Sequence, residues 1–214
     1  MPPSRARESG KEEQLELVRP ESPDAASAAL RNGGIALAGG TELVPLLRDG
    51  LAAASTLVWI RAAVPSGVAA DRIGAGATLA EIEASEAVPQ ALREACRLAA
   101  SPQIRAMGTI GGNLLQATRC WYWRLKFPCR LHGGDRCHAR EGEHREHALV
   151  GNDYCASAHP SDPAAALLAL GATVGTDRRR FPVAELYRLP SDEDRRLTTL
   201  EPDELLLELE VPQP

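Results

Sequence analysis

Residues 35 to 43 read Ile-Ala-Leu-Ala-Gly-Gly-Thr-Glu-Leu, an apolar run that passes through two glycines into a second apolar segment. Ile35 to Leu37 is typical of a strand, and Leu43 to Leu47 is typical of a turn of helix. Glycines at such a turn leave backbone N–H groups that can point at a phosphate. The motif is neither G-x-G-x-x-G nor a Walker loop with its lysine, so it supports neither a Rossmann site nor an ATPase. A purely structural turn is the alternative.

The segments around this turn predict many short elements. Strands are expected at 14–18 and 57–60, with a helix at 24–31 between Pro23 and Gly33. The strand at 35–37, the helix at 43–47 and the strand at 57–60 predict a small β-α-β unit. Further on, the pattern predicts strands near 72–77, 173–176, 181–183 and 203–211, helices after Thr78 and at 88–100 and 164–170, and no regular structure over 101–112. This mixture lacks a regular β-α alternation and predicts an α+β fold in two lobes.

Two further local motifs have both a functional and a structural interpretation. Gly108-Thr-Ile-Gly-Gly-Asn113 is a second glycine loop, which can bring the backbone close to a ligand or can be an unrelated turn. Asp162 followed by Pro163 predicts the N-cap and first residue of a helix, and a ligand hydroxyl can use the same carboxylate.

Composition excludes several classes of protein. The chain has 214 residues, 44% hydrophobic and 25% charged, which is ordinary for a folded protein and excludes disorder as the main state. The net charge of −5 argues against a dedicated nucleic-acid binder. The longest apolar stretches, 51–60 and 163–174, fall short of the roughly 20 residues of a membrane span, so we predict a soluble protein. Residues 1–13 lack an apolar core, and we interpret them as a disordered tail without a secretory signal.

Cysteine and histidine are concentrated in one segment. Four of the five cysteines, spaced C-x8-C-x7-C-x17-C, and four of the five histidines lie between residues 120 and 155. Four thiolates can bind a tetrahedral zinc ion or a [4Fe-4S] cluster, and the absence of tight C-x2-4-C pairs favours the cluster. We interpret the nearby histidines as polar loop residues and the remaining cysteine as part of the core. The histidines are His132, His138, His144 and His147, and the core cysteine is Cys96.

Taken in order, these motifs resemble the FAD-binding medium subunits of molybdenum hydroxylases, the xanthine dehydrogenase-like family. The similarity begins at about Leu15 and rests on five segments: Ile35–Leu43, Ile73–Leu79, Thr109–Asn113, Ser161–Pro163 and Glu204–Pro212. The cysteine segment resembles the insertion that carries an extra [4Fe-4S] cluster in the flavin subunits of 4-hydroxybenzoyl-CoA reductase and, more closely, of bacterial periplasmic aldehyde oxidoreductase.

The resemblance implies an organisation and a set of site residues. It implies a two-lobed (PCMH-like) FAD-binding domain with lobes at 14–65 and 66–214, a cysteine-rich insertion at about 117–157, and the absence of the family's further C-terminal domain. For FAD, the implied residues are Ala36, Leu37, Ala38, Gly39, Gly40, Thr41, Glu42 and Leu43 at the pyrophosphate, Thr109, Gly111, Gly112, Asn113 and Gln116 on the facing wall, Ser161 and Asp162 at the phosphate and ribityl chain, and Leu206 against the flavin ring. Cys120, Cys129, Cys137 and Cys155 are the implied ligands of the cluster.

The implied function is electron transfer, with no catalytic residue of its own. The chain would move electrons through FAD between an external acceptor and two partners, a large molybdopterin-binding subunit and a small [2Fe-2S] subunit. The expected location is the cytoplasm, or export as a passenger of a partner subunit. Two alternatives stay open: a zinc-stabilised interaction module without enzymatic activity, and a subunit that keeps the fold but binds no flavin.

Overall fold

The computed structural model describes residues 15–150 and 153–213. The predicted tail at 1–13, together with Gln14 and Pro214, lies outside the described residues. The strands are β1 (Glu16–Val18), β2 (Ile35–Leu37), β3 (Thr56–Trp59), β4 (Arg72–Gly74), β5 (Thr173–Thr176), β6 (Arg180–Pro182) and β7 (Leu206–Glu210). The helices are α1 (Pro23–Arg31), α2 (Leu43–Arg48), α3 (Leu79–Ala84), α4 (Gln90–Leu98), α5 (Pro102–Met107), α6 (Ile110–Leu114), α7 (Trp121–Arg124), α8 (His138–Glu141) and α9 (Asp162–Ala169).

The first three strands form a parallel sheet in the order β1-β3-β2. Leu57 of β3 pairs with both Leu17 and Ile35, so the central strand is the last of the three in the chain. The crossover helix α1 begins where the sequence predicts, because the Ser22 side chain accepts a hydrogen bond from the Ala25 N–H and Pro23 occupies the first turn. Strands β2 and β3 are parallel neighbours with α2 between them in the chain, which confirms the predicted β-α-β unit.

The other four strands form a second sheet in the order β4-β7-β5-β6, and all of its pairs are antiparallel. Leu209 of β7 pairs with Ile73 on one side and Val174 on the other, and all three side chains are fully buried. The strand nearest the chain end therefore lies at the centre of this sheet. Two small sheets of different type, each with its own helices, agree with the predicted α+β class.

Helix α4 packs against α3 and α9 on the core. Its Cys96 is fully buried, and burial raises the pKa of this thiol to about 12. The interpretation of Cys96 as a small core side chain is therefore confirmed. Helix α3 begins with a reciprocal capping box between Thr78 and Glu81, as the pattern after Thr78 predicts.

The expectation of no regular structure over 101–112 is wrong, because α5 and α6 occupy most of it. Ser101 caps α5 with Pro102 in its first position, and the Thr109 hydroxyl caps α6 by accepting a hydrogen bond from the Gly112 N–H. Capping offsets the cost of glycine in so short a helix. A second prediction is wrong at the start of α9. Asp162 is predicted as the N-cap, but the N-cap is Ser161, whose side chain accepts a hydrogen bond from the Ala164 N–H.

Within the described ranges, no helix combines the length and the apolar character required to cross a bilayer.

Adjacent leucines of α9 provide a test of the core. Leu167 is 0% exposed and Leu168 is 54% exposed. We expect Leu167→Ala to lower the free energy of unfolding by about 2–5 kcal/mol, because it leaves a cavity. Leu168→Ala should change it by less than about 0.5 kcal/mol. Urea denaturation measures both, and equal losses would contradict this assignment of the core.

Candidate functional site

A cavity of about 280 Å³ lies where the two sheets meet. The first glycine turn, residues 38–43, forms one side, and the segment 204–206 that leads into β7 forms another. The wall is completed by residues 75–76 after β4 and by Thr109, Gly111 and Gly112. Most of the exposed lining is apolar, as is typical of small-molecule sites.

Close packing requires glycine in the first turn. A Cβ atom on Gly39 would lie 1.8 Å from the Met107 carbonyl oxygen, so any side chain there would collide with the backbone. Gly40 has φ +73°, a conformation that other residues adopt only with strain. The turn therefore packs directly on the segment that joins α5 to α6.

The backbone N–H groups of this turn are available. None of the five N–H groups from Gly39 to Leu43 donates a hydrogen bond to another group in the part of the chain that the structure describes. All five residues line the cavity. Five consecutive unpaired donors form a site that is suited to the oxygens of an anionic ligand.

The second glycine loop contributes differently. The N–H groups of residues 110–113 all donate within the protein, to Ala77, Ala75 and Thr109. A Cβ on Gly111 would lie 3.0 Å from the Ala75 Cβ and carbonyl oxygen, so glycine brings α6 close to the turn after β4. Since its donors are used, this loop supplies the shape of the wall and few donors to a ligand.

The two carboxylates among the lining residues are both paired. Glu42 accepts hydrogen bonds from Arg124 at 2.6 Å, Arg119 at 2.8 Å and the Ala117 N–H at 3.2 Å. Glu204 accepts from Arg179 at 2.9 Å; burial acts to raise its pKa, but this and other hydrogen bonds hold the pKa below its usual value. Arg61 adds an exposed positive charge at the cavity. The electrostatics of the cavity are therefore compatible with an anion.

Most of the residues implied for FAD line this cavity. Those that line it are Ala36, Ala38, Gly39, Gly40, Thr41, Glu42, Leu43, Thr109, Gly111, Gly112 and Leu206. Leu37, Asn113, Gln116, Ser161 and Asp162 are not in its lining. Ser161 donates to Asn113 at 2.5 Å, Gln116 donates to the Asn113 carbonyl at 2.8 Å, and Asp162 is exposed at the first position of α9. The individual roles stay predictions.

The sequence interpretation missed several lining residues. They are Leu46, Ile60, Arg61, Val64, Ala75, Gly76, Leu115, Ala117, Glu204 and Leu205. Ala75 and Gly76, and likewise Glu204 and Leu205, belong to segments that carry the family resemblance, and that resemblance is the signal that could have indicated them. Ile60, Arg61 and Val64 follow β3 without a recognisable pattern, because only the fold brings them to the cavity.

A second, smaller cavity lies inside the cysteine segment. Cys120, Cys129, Cys137 and Cys155 all line it, together with Tyr122, Trp123, Arg130, Leu131, His138, Ala139 and Ser157. Two of the cysteines, Cys129 and Cys155, are buried. Over the described residues, no group of three or more His, Cys, Asp or Glu side chains is arranged to hold a metal ion.

Two polar side chains of the described residues lie beside sulfurs of this segment. His147 Nε2 lies 3.1 Å from Cys120 Sγ, and Ser157 Oγ lies 3.2 Å from Cys155 Sγ. Burial raises the pKa of both thiols, and burial lowers the pKa of His147.

The interpretation of all four histidines as polar loop residues is wrong for His147. Its side chain is packed edge-on against Trp121 at 4.6 Å, and the residue is only 8% exposed. His132 and His144 are exposed, and His138 is partly exposed. Nothing in the spacing of the segment distinguishes His147, because its burial depends on how the loop folds back on α7.

Comparison with known proteins adds independent information. A family model described as the FAD binding domain in molybdopterin dehydrogenase matches residues 13–214. The chain is 32% identical over 220 residues to the aldehyde oxidoreductase FAD-binding subunit PaoB of Escherichia coli (strain K12), an alignment that covers 93% of this chain and 68% of that protein.

Solved structures show the same fold. Reconstituted CO dehydrogenase from Oligotropha carboxidovorans superposes with a TM-score of 0.64 at 25% identity, over 94% of this chain and 60% of that one. Quinoline 2-oxidoreductase from Pseudomonas putida 86 gives a TM-score of 0.64 at 20% identity, over 94% of this chain and 59% of that one. At this identity the similarity supports the fold alone. The chain thus spans about three fifths of the length of the solved chains it matches.

Glu42 offers a test of the contact between the first turn and the cysteine segment. We expect Glu42→Gln to lower the free energy of unfolding by about 1–3 kcal/mol, because it removes the charge that Arg119 and Arg124 bind. Urea denaturation measures the loss. Glu86→Gln, at an exposed position between α3 and α4, is the control and should leave stability unchanged. Equal unfolding midpoints for the two variants would exclude a stabilising role for this contact.

Proposed function

The chain belongs to the family of the FAD-binding domain in molybdopterin dehydrogenase, and from that membership we propose that it binds FAD in the 280 Å³ cavity as the electron-transfer subunit of a molybdenum-containing oxidoreductase. The observation that carries this proposal is the row of unpaired N–H groups from Gly39 to Leu43. The hydrogen atoms of these N–H groups carry partial positive charge, which suits the negatively charged pyrophosphate of FAD. Its two phosphates need several hydrogen-bond donors.

The rest of the cavity suits the remainder of FAD. Leu46, Val64, Leu115 and Leu206 supply apolar surface for a planar ring system. The pairing of Glu42 and Glu204 with arginines leaves neither carboxylate to repel the phosphates. Thr41 and Arg61 line the cavity and are exposed, so both are available to a bound ligand.

Bound FAD supplies reversible two-electron chemistry, and the protein binds, orients and shields it. The first glycine turn fixes the phosphates, and α6 with the turn after β4 restricts the cavity from the opposite side. Among the described residues, the two carboxylates of the lining, Glu42 and Glu204, are engaged with arginines and are not free to act on a substrate carbon. The chain's residues therefore position an electron carrier.

We also propose that the four cysteines of the second cavity bind a [4Fe-4S] cluster. All four line one cavity, and the donor set of four thiols is the ordinary one for this cluster. In such a cluster each thiolate would bind a different iron atom, so the four cysteines would stand farther apart than the ligands of a single ion. Tyr122 and Trp123 in the wall limit the access of water, and Arg130 offsets the negative charge of the thiolates.

The proposed partners follow from the family. A large molybdopterin-binding subunit and a small [2Fe-2S] subunit would exchange electrons with the flavin, and an external acceptor would complete the reaction. PaoB is by name a subunit of an aldehyde oxidoreductase, and we propose an aldehyde or an aromatic heterocycle as the substrate class of the assembled enzyme.

Charge at Thr41 tests the position of the pyrophosphate. We expect Thr41→Glu to reduce bound flavin at least tenfold, because a carboxylate beside the unpaired N–H groups competes for them and repels phosphate. Thr41→Gln has nearly the same size without the charge and should retain flavin. Flavin per chain, measured by absorbance after release from the protein, decides the matter. Full retention by the Glu variant would place the pyrophosphate elsewhere.

Serine at a cysteine position tests the cluster. Cys129→Ser should lower iron and acid-labile sulfide well below the about four of each per chain expected of the unsubstituted protein, with loss of the broad visible absorption. Cys96→Ser, at a buried cysteine in α4, should retain both. Zinc in place of iron in the unsubstituted protein would favour the zinc-stabilised interaction module instead.

A further inference from the structure

We infer that His147 and Ser157 are positioning residues that donate hydrogen bonds to Cys120 and Cys155 and thereby raise the reduction potential of the cluster. This inference rests on the proposed function, since it presupposes that the two thiolates bind iron. It assigns a role to His147, a buried histidine of the cysteine segment. This residue is not among the proposed ligands of the cluster or the proposed contacts of FAD.

The geometry of His147 is that of a donor to sulfur. Its Nε2 lies 3.1 Å from Cys120 Sγ, within the range of an N–H···S hydrogen bond. The edge-on contact with Trp121 at 4.6 Å and a second ring contact with Tyr122 fix the orientation of the imidazole. A ring held on two sides loses little entropy when it makes this hydrogen bond.

The second ring nitrogen indicates where the proton lies. His147 Nδ1 is buried and has no hydrogen-bond partner within the described ranges. If the proton were on Nδ1, the structure would bury an unpaired N–H donor and direct the lone pair of Nε2 at a thiolate. With the proton on Nε2, the sulfur receives a hydrogen bond and only a bare acceptor is left unpaired. The second arrangement costs less, because the donor is satisfied.

Ser157 provides the same contact to a different ligand. Its Oγ lies 3.2 Å from Cys155 Sγ, and Ser157 also lines the cysteine cavity. A thiolate bound to iron has no proton, so the serine hydroxyl must be the donor. The two contacts act on two different corners of the cluster.

Hydrogen bonds to ligand sulfurs favour the reduced cluster, because they withdraw electron density from a group that gains negative charge. The effect is larger in a buried, low-dielectric setting, and Cys155 is buried. His147 and Ser157 would therefore make the cluster a better electron acceptor from the flavin than four unassisted cysteines would be.

The experiment is a redox titration of the full chain, purified anaerobically, with the visible absorption of the cluster as the readout. We expect His147→Leu to lower the equilibrium constant for one-electron reduction about tenfold, a shift of about 59 mV to a lower potential. Ser157→Ala should shift the potential in the same direction. His147→Gln keeps an N–H donor near the position of Nε2 and should restore most of the potential, whereas His144→Leu, at an exposed histidine, should leave it unchanged.

The outcomes separate the inference from the proposal beneath it. Absence of iron in the unsubstituted protein would overturn both. Normal iron content with unchanged potentials in His147→Leu and Ser157→Ala would overturn the inference and leave the cluster in place. If His147→Leu lost its iron, His147→Gln and Ser157→Ala would decide. Retained iron in His147→Gln together with a lowered potential in Ser157→Ala would support the inference. Lost iron in His147→Gln, or an unchanged potential in Ser157→Ala, would overturn it.

Discussion

The close approach of two backbone segments at Gly39 determines how the two sheets meet. Because this residue has no side chain, the first turn packs directly on the Met107 carbonyl. A second close approach, Gly111 against Ala75, joins the same region to the turn after β4. Together these contacts fix a cavity between a parallel sheet and an antiparallel one, and the residues with unpaired N–H groups, Gly39 to Leu43, line it.

Glu42 connects this cavity to the cysteine segment. Its carboxylate lies in the first turn but binds Arg119, Arg124 and the Ala117 N–H, which flank the beginning of that segment. The contact removes a negative charge from the cavity and anchors the chain next to Cys120. One side chain thus serves both proposed cofactors, although it is implied by resemblance as a contact of FAD alone.

The predicted fold agrees with the structure where a pattern is local. The strand at 35–37, the strand at 173–176 and the capped start of α3 depend on neighbouring residues. The prediction of no regular structure over 101–112 is wrong because glycine and proline usually end helices, whereas here Ser101 and Thr109 cap two short helices. Ser161 replaces Asp162 as the cap of α9 for a similarly local reason, since the hydroxyl one residue earlier reaches the Ala164 N–H.

The sequence by itself determined the family, the α+β class, the glycine turn and the four cysteines, because each depends on residue type and order along the chain. Only the tertiary structure decided that the N–H groups of residues 110–113 in the second glycine loop are already paired, that Arg61 and Glu204 reach the cavity, and that His147 is buried beside Cys120. These facts depend on contacts between residues far apart in sequence. Burial and the pairing of donors exist only after the chain has folded, so no local pattern encodes them.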